Sequence, residues 1–218
     1  MDSHRTGSRW GLVALVAALV LAASPGPRAQ DTGRPPRLLP VPLISQASPW
    51  TCGPATLMAA LMYFGLFDDA ESRLDAELGA TPEQGVPPQR IAAGARAFGL
   101  TAEVRTGMTL DDLAGELDSG ALVIVALQAW PSRPNTDLAK SWEDGHYVVV
   151  VGLDESRVYA MDPSVRTGYA YLPREELMRR WHDYDVRDGR REAYQRLGIV
   201  LRGQHPLQRY PAEPTKIE

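Results

Sequence analysis

The feature that most restricts the fold is the run Tyr-Val-Val-Val-Val at 147–151. It offers β-branched residues to both faces of a strand, so it reads as a central strand of a sheet. Residues 157–161 read as the next strand, with a turn around Asp154, and the two form a hairpin. Residues 122–127 (LVIVAL) are a second buried strand. Residues 100–104, 168–172 and 197–201 are further strand candidates. The first half reads as helical. A helix over 54–64 starts with Pro54 at its first position and stops at Gly65. Others cover 70–78, 88–98 and 109–117, the last capped by Thr109, with acids at 111 and 112 suiting its dipole. A short helix is expected at 173–181. The segment 128–145 reads as a long loop, and the charged segment 182–196 as a solvated loop or helix end. Helices followed by strands predict an α+β fold, with N-terminal helices packed on a C-terminal antiparallel sheet.

Residues 1–30 stand apart from that fold. Arg5 and Arg9 give a positive start, 12–23 is uninterrupted apolar, and SPGPRAQ follows. This is the three-part pattern of an export signal. The run is short for a spanning helix, which needs about 20 apolar residues, so no stable membrane insertion is expected after cleavage. The predicted organisation is therefore a signal peptide over 1–30, a Pro- and Arg-rich linker over 31–40, one domain over 41–203 and a flexible tail over 204–218. The product would be exported, periplasmic or extracellular. Removing 1–30 takes away three Arg and one Asp, leaving 20 basic and 26 acidic side chains, a net −6. That balance speaks against nucleic acid as a partner, which requires a basic face. One cysteine and four histidines are too few for a Cys-rich metal site. Neither His182 nor His205 has a second ligand at helical or hairpin spacing. No cofactor is expected.

The single cysteine, Cys52, cannot form an internal disulfide. A free thiol in an exported chain calls for an explanation. Cys52 lies at the start of the first helix, where the helix dipole favours a thiolate and unpaired N–H groups are available to an oxyanion. A lone cysteine is otherwise a small buried hydrophobe. His146 opens the 147–151 strand and would hold a general base on a rigid element. Read blandly, it is a hydrogen-bonded strand-end histidine. Asp162 follows the partner strand. A hairpin centred at 154 sets 146 opposite 162, and one centred at 155 makes them diagonal neighbours on one face. A two-residue turn would put them on opposite faces. Asp162 is otherwise a turn residue before Pro163. Gln46, six residues before Cys52, has an amide able to donate to the same oxyanion, or is a plain loop residue. Trp130 and Trp142 in the long loop would either contact a peptide or pin the loop.

The stretch VPLISQASPWTCGPATLMAALMYFG resembles the N-terminal signature of the C39-type papain-like cysteine peptidases, and GHYVVVVGLDESRVYAMDP resembles their second signature. The Gly-Val-Pro turn and helix at 85–98 and the helix at 109–117 fall in the same order, so the likeness covers about residues 40–202. The resemblance implies a papain-like fold and a cysteine peptidase acting on a peptide or protein substrate, and the signal pattern of 1–30 implies that it is exported. It implies Cys52 as nucleophile, His146 as general base, Asp162 as the residue orienting His146, and Gln46 as oxyanion donor. The best-known members remove double-glycine leaders as domains fused to ABC transporters. With an export signal and neither transporter spans nor a nucleotide-binding motif, this sequence is similar to the stand-alone C39-like branch. An acyltransferase or transpeptidase would use the same site. A non-catalytic binding module would keep the fold with an unreactive Cys52.

Overall fold

In the computed structural model, which describes residues 38–207 together with Met1 and Thr215–Lys216, the apolar runs form the centre of a sheet buried on both faces. In chain order the elements are α1 (Cys52–Tyr63), α2 (Glu71–Leu78), α3 (Pro88–Ala97), β1 (Thr101–Arg105), α4 (Leu110–Asp118), β2 (Leu122–Gln128), β3 (Gly145–Leu153), β4 (Arg157–Met161), β5 (Ala170–Pro173), α5 (Arg174–Arg180), β6 (His182–Arg187), β7 (Arg190–Gln195), β8 (Gly198–Arg202) and β9 (Thr215–Lys216). The main sheet has the order β1-β8-β2-β3-β4-β5-β9 and is antiparallel except where β9 joins β5. The elements belong to one unit, residues 35–218. The expected export signal lies outside the described residues. Among the described residues no helix is long and apolar enough to cross a membrane.

Strands β2 and β3 sit in the middle, as their composition requires. Leu122, Ile124, Ala126, Tyr147, Val149 and Val151 pack with Leu57 and Leu61 of α1, Leu74 of α2 and Ile91 of α3. The opposite side chains, Val123, Val125, Leu127, Val148 and Val150, pack with Leu113 of α4, Leu177 of α5 and Trp181. The helices thus cover both faces, and only α1–α3 form the layer foreseen from the sequence. Thr109 caps α4 through a capping box, its hydroxyl accepting from the Asp112 N–H while the Asp112 carboxylate accepts from the Thr109 N–H.

The β3–β4 hairpin carries a bulge that decides which side chains share a face. Near the turn Leu153 pairs with Val158 and Gly152 with Tyr159. Continued unbroken, that register would set His146 opposite Val165 and Asp162 on the other face. The register shifts between Val150 and Gly152, so Val150 pairs with Ala160 and Val149 with Met161. One extra residue in a strand changes the parity of everything beyond it. His146 and Asp162 become diagonal neighbours on one face, as expected for a hairpin centred at 155. Asp154 closes the turn, its Oδ1 accepting from the Ser156 and Arg157 N–H groups at 2.8 Å each.

Two readings need correction. Helix α1 begins at Cys52, two residues before Pro54. Proline is tolerated there because first-turn N–H groups have no helical partner. The segment 182–196, read as a solvated loop, is mostly the β6–β7 hairpin. Its two turn residues, Asp188 and Gly189, have φ of 51° and 74°, the left-handed pair that a type I′ turn requires. The expected tail is held at two described points. The Leu207 N–H donates to Tyr63 O at 3.0 Å, and Thr215–Lys216 pairs with β5.

Candidate active site

Residue Cys52 is the first residue of α1. Its side chain is buried (7% exposed) yet borders a cleft of about 250 Å³ whose walls include Trp50, Trp142, Tyr147, Asp183 and Tyr194. The thiol lies beside the His146 imidazole, close enough to favour its protonated form. The other side of that ring is fixed: His146 Nε2 lies 2.8 Å from Asp162 Oδ1. Nε2 therefore carries its hydrogen toward the carboxylate, and Nδ1 is left for the thiol.

Asp162 is fully buried and is itself surrounded by donors. The Ser164 N–H donates to Oδ1 at 2.8 Å, and the Trp130 Nε1–H donates to Oδ2 at 3.0 Å. Burial pushes this carboxyl up, but the His146 charge and these hydrogen bonds outweigh burial and hold it below its ordinary value. The converse holds for His146. Burial alone would lower the imidazole; the Asp162 charge and hydrogen bond, with Cys52 adding to them, raise it to about 10. A thiol, an imidazole and a carboxylate in this order can pass the thiol proton to the ring and hold the resulting cation.

Three of the four sequence-selected residues are thus joined in one chain of contacts. Gln46 is placed differently. Its backbone N–H donates to Pro163 O at 3.1 Å, its Nε2 donates to Ser48 O at 2.9 Å, and its Oε1 accepts from Ser164 Oγ at 3.3 Å. These bonds tie the 46–51 loop to the turn carrying Asp162; none of them runs to Cys52.

Two residues were missed as members of the site. Trp130 does pin its loop, but it does so by donating to the Asp162 carboxylate. Its φ of 54° is a left-handed conformation rare for a bulky side chain, the strain often found where a site fixes a residue. Asp183 belongs to β6, the strand that went unrecognised. Its Oδ1 accepts from the Tyr184 N–H at 2.9 Å and from Gln128 Nε2 at 3.3 Å. Burial, only partly offset by those bonds, raises its carboxyl to about 7. Trp142 borders the cleft and rests on His182, ring centroids 4.5 Å apart. His182 Nε2 is occupied by Ser141 O at 2.8 Å, which gives that histidine a structural task. Among the described residues no group of three or more His, Cys, Asp or Glu side chains is arranged to hold a metal ion.

The model of the Peptidase_C39 like family matches residues 38–186. Comparison with curated protein sequences gave no match. Several solved structures share the fold. A C39-like peptidase described from Bacillus anthracis superposes with a TM-score of 0.56 at 18% identity, covering 78% of this chain and 99% of its own. The peptidase domain of Streptococcus ComA, a bifunctional ABC transporter of a quorum-sensing pathway, gives 0.54 at 19%, covering 77% and 99%. A double-glycine motif protease from an AMS/PCAT transporter, solved with its leader peptide, gives 0.52 at 18%, covering 77% and 94%. At these identities the likeness is one of fold, the papain-like arrangement of helices on an antiparallel sheet.

Proposed function

The chain belongs to the Peptidase_C39 like family, and from that premise we propose that it is an exported cysteine peptidase that hydrolyses peptide bonds through an acyl intermediate on Cys52. The observation that carries this reading is the contact chain Cys52–His146–Asp162 at the edge of a cleft. The Cys52 sulfur attacks the carbonyl carbon of the substrate, forming the C–S bond, and the carbonyl oxygen takes the negative charge. The Cys52 N–H at the start of α1 donates to that oxyanion, and the Gln46 amide, which bonds Ser48 O in the resting site, joins it by turning its second N–H toward the substrate. As the C–N bond breaks, His146 gives its Nδ1 proton to the leaving amine. Water, deprotonated by His146, then attacks the thioester, releasing a carboxylic acid and restoring the thiol. Asp162 holds the ring and its charge throughout.

A peptide as substrate is supported by the neighbouring protease that binds a leader peptide. Export is supported by the charged, apolar and small-residue sequence of 1–30. The test is a mass-spectrometric search for new termini in a diverse peptide mixture. Wild type is expected to create them. Cys52→Ala and His146→Ala should each lower the rate by about 10^4-fold or more, the scale for deleting one member of such a unit. Equal cleavage by wild type and Cys52→Ala would overturn the reading. Added amines appearing as amides in place of acids would convert it to acyl transfer at the same site.

A further inference from the structure

We infer that Asp183 is a specificity-determining residue: its carboxylate receives a protonated amine of the substrate peptide in the cleft beside Cys52. The inference rests on the peptidase reading above and names the substrate chemistry it leaves open.

Among the described residues four acids border the cleft, Glu83, Glu143, Asp183 and Asp185, and no lysine or arginine does. Glu143 is already engaged by Arg191 at 3.0 Å, on exposed side chains, and Asp185 accepts from the Val186 N–H. Acidic rims of that kind are common. Asp183 differs from them by being buried, only 9% exposed. Both hydrogen bonds to its carboxylate end on Oδ1. Oδ2 has no hydrogen-bond donor among the described residues, and Asp183 borders the cleft. A half-satisfied buried carboxylate is costly, and a folded domain keeps one where something supplies the missing donor.

The chain also makes room for it. A Cβ on Gly145 would overlap the Asp183 carboxylate, so the glycine before His146 is what lets this acid lie against the start of β3. Asp183 is thus fixed in place from three sides: Gly145 beneath it, Gln128 from β2 and its neighbour's N–H. The His146 charge acts on Asp183, but that ring is bonded to Asp162, and a charge-assisted N–H bond from a ligand is the contact that suits Oδ2. Of the nearby phenols, Tyr147 donates to Val86 O at 3.2 Å.

The amine is either a lysine-type side chain or a free peptide N-terminus, and four alkylating probes separate these: chloromethyl ketones of lysine and norleucine, each with its α-amine free or acetylated. Each reacts by forming a thioether on Cys52 and releasing chloride, read by intact-protein mass at pH 8. At least one amine-bearing probe should alkylate wild type about tenfold or more faster than acetyl-norleucine, the advantage of one charged hydrogen bond. An advantage following the ε-amine identifies a side chain; one following the α-amine identifies a terminus. In Asp183→Asn the ratio of amine-bearing to neutral rates should collapse toward one. Equal rates for all four probes in wild type, a comparison that needs no variant, would overturn the inference, as would an unchanged ratio in Asp183→Asn. In both cases Cys52 is still alkylated rapidly by neutral iodoacetamide. A Cys52 slow toward iodoacetamide as well is the separate result that removes the peptidase reading.

Discussion

Asp162→Ala is expected to lower folding stability by about 3–5 kcal/mol near neutral pH, the scale for removing one partner of a buried charge pair. Three donors lose their acceptor at once: His146 Nε2, the Ser164 N–H and Trp130 Nε1. The pH dependence identifies the source. His146 is raised from 6.5 to about 10, so its contribution is full below about 6.5 and is lost as pH rises through about 10. Asp162 is held below 3.8, so its contribution is present above that value and is lost as pH falls through the folded value. Urea denaturation should therefore show the widest gap between wild type and variant at pH 5 to 6.5, narrowing steadily toward pH 10. A gap of constant size over that range would mean that only packing was removed.

Asp183→Asn should move stability the other way. Its carboxyl is raised from 3.8 to about 7, burial being the main cause. A raised acid makes ionisation costly in the folded state. The cost is absent below about 3.8, grows as pH rises between the two values, and is complete above about 7. Asparagine keeps the Oδ1 acceptor and the shape but cannot ionise. The variant should match wild type near pH 4 and exceed it above pH 7 by up to about 4 kcal/mol, roughly three pH units at about 1.4 kcal/mol each. Most substitutions lose about 1 kcal/mol, so a gain of that size and pH course is diagnostic. Equal stability at pH 8 would show that burial does not strain this carboxylate. A charge kept against that cost is what a binding residue requires.

Much of the site was legible because its parts follow local rules. The β-branched run fixed the centre of the sheet, and the residues around Cys52 placed it at a helix start. The pairing of His146 with Asp162 came down to hairpin parity. That parity was readable only as alternatives, because the bulge between Val150 and Gly152 leaves no mark in a run of valines. Helix α1 starts early because an N-terminal proline marks the first turn rather than its first residue. The β6–β7 hairpin was hidden by charge. Its second strand, RREAYQ, presents exposed residues along most of its length, and its first, HDYDVR, is buried only at the polar His182 and Asp183. The signal was still there: Asp188-Gly189 is a two-residue hairpin turn in sequence as well as in conformation. Reading it would have put Asp183 on a strand. That it abuts Gly145, and that Trp130 reaches Asp162, are long-range contacts that no local pattern encodes.

Catalysis at this site depends on the pairing of Cys52 with His146, and the pH dependence of Cys52 alkylation by iodoacetamide in wild type and His146→Ala measures it. An ordinary thiol, with a pKa of about 8.5, is only about 0.3% thiolate at pH 6. A thiolate–imidazolium pair predicts rapid alkylation of wild type at pH 6, slowed roughly 100-fold in His146→Ala. A wild-type rate that rises only near pH 8.5 and is the same in His146→Ala would contradict the account and leave a C39-like fold without its chemistry.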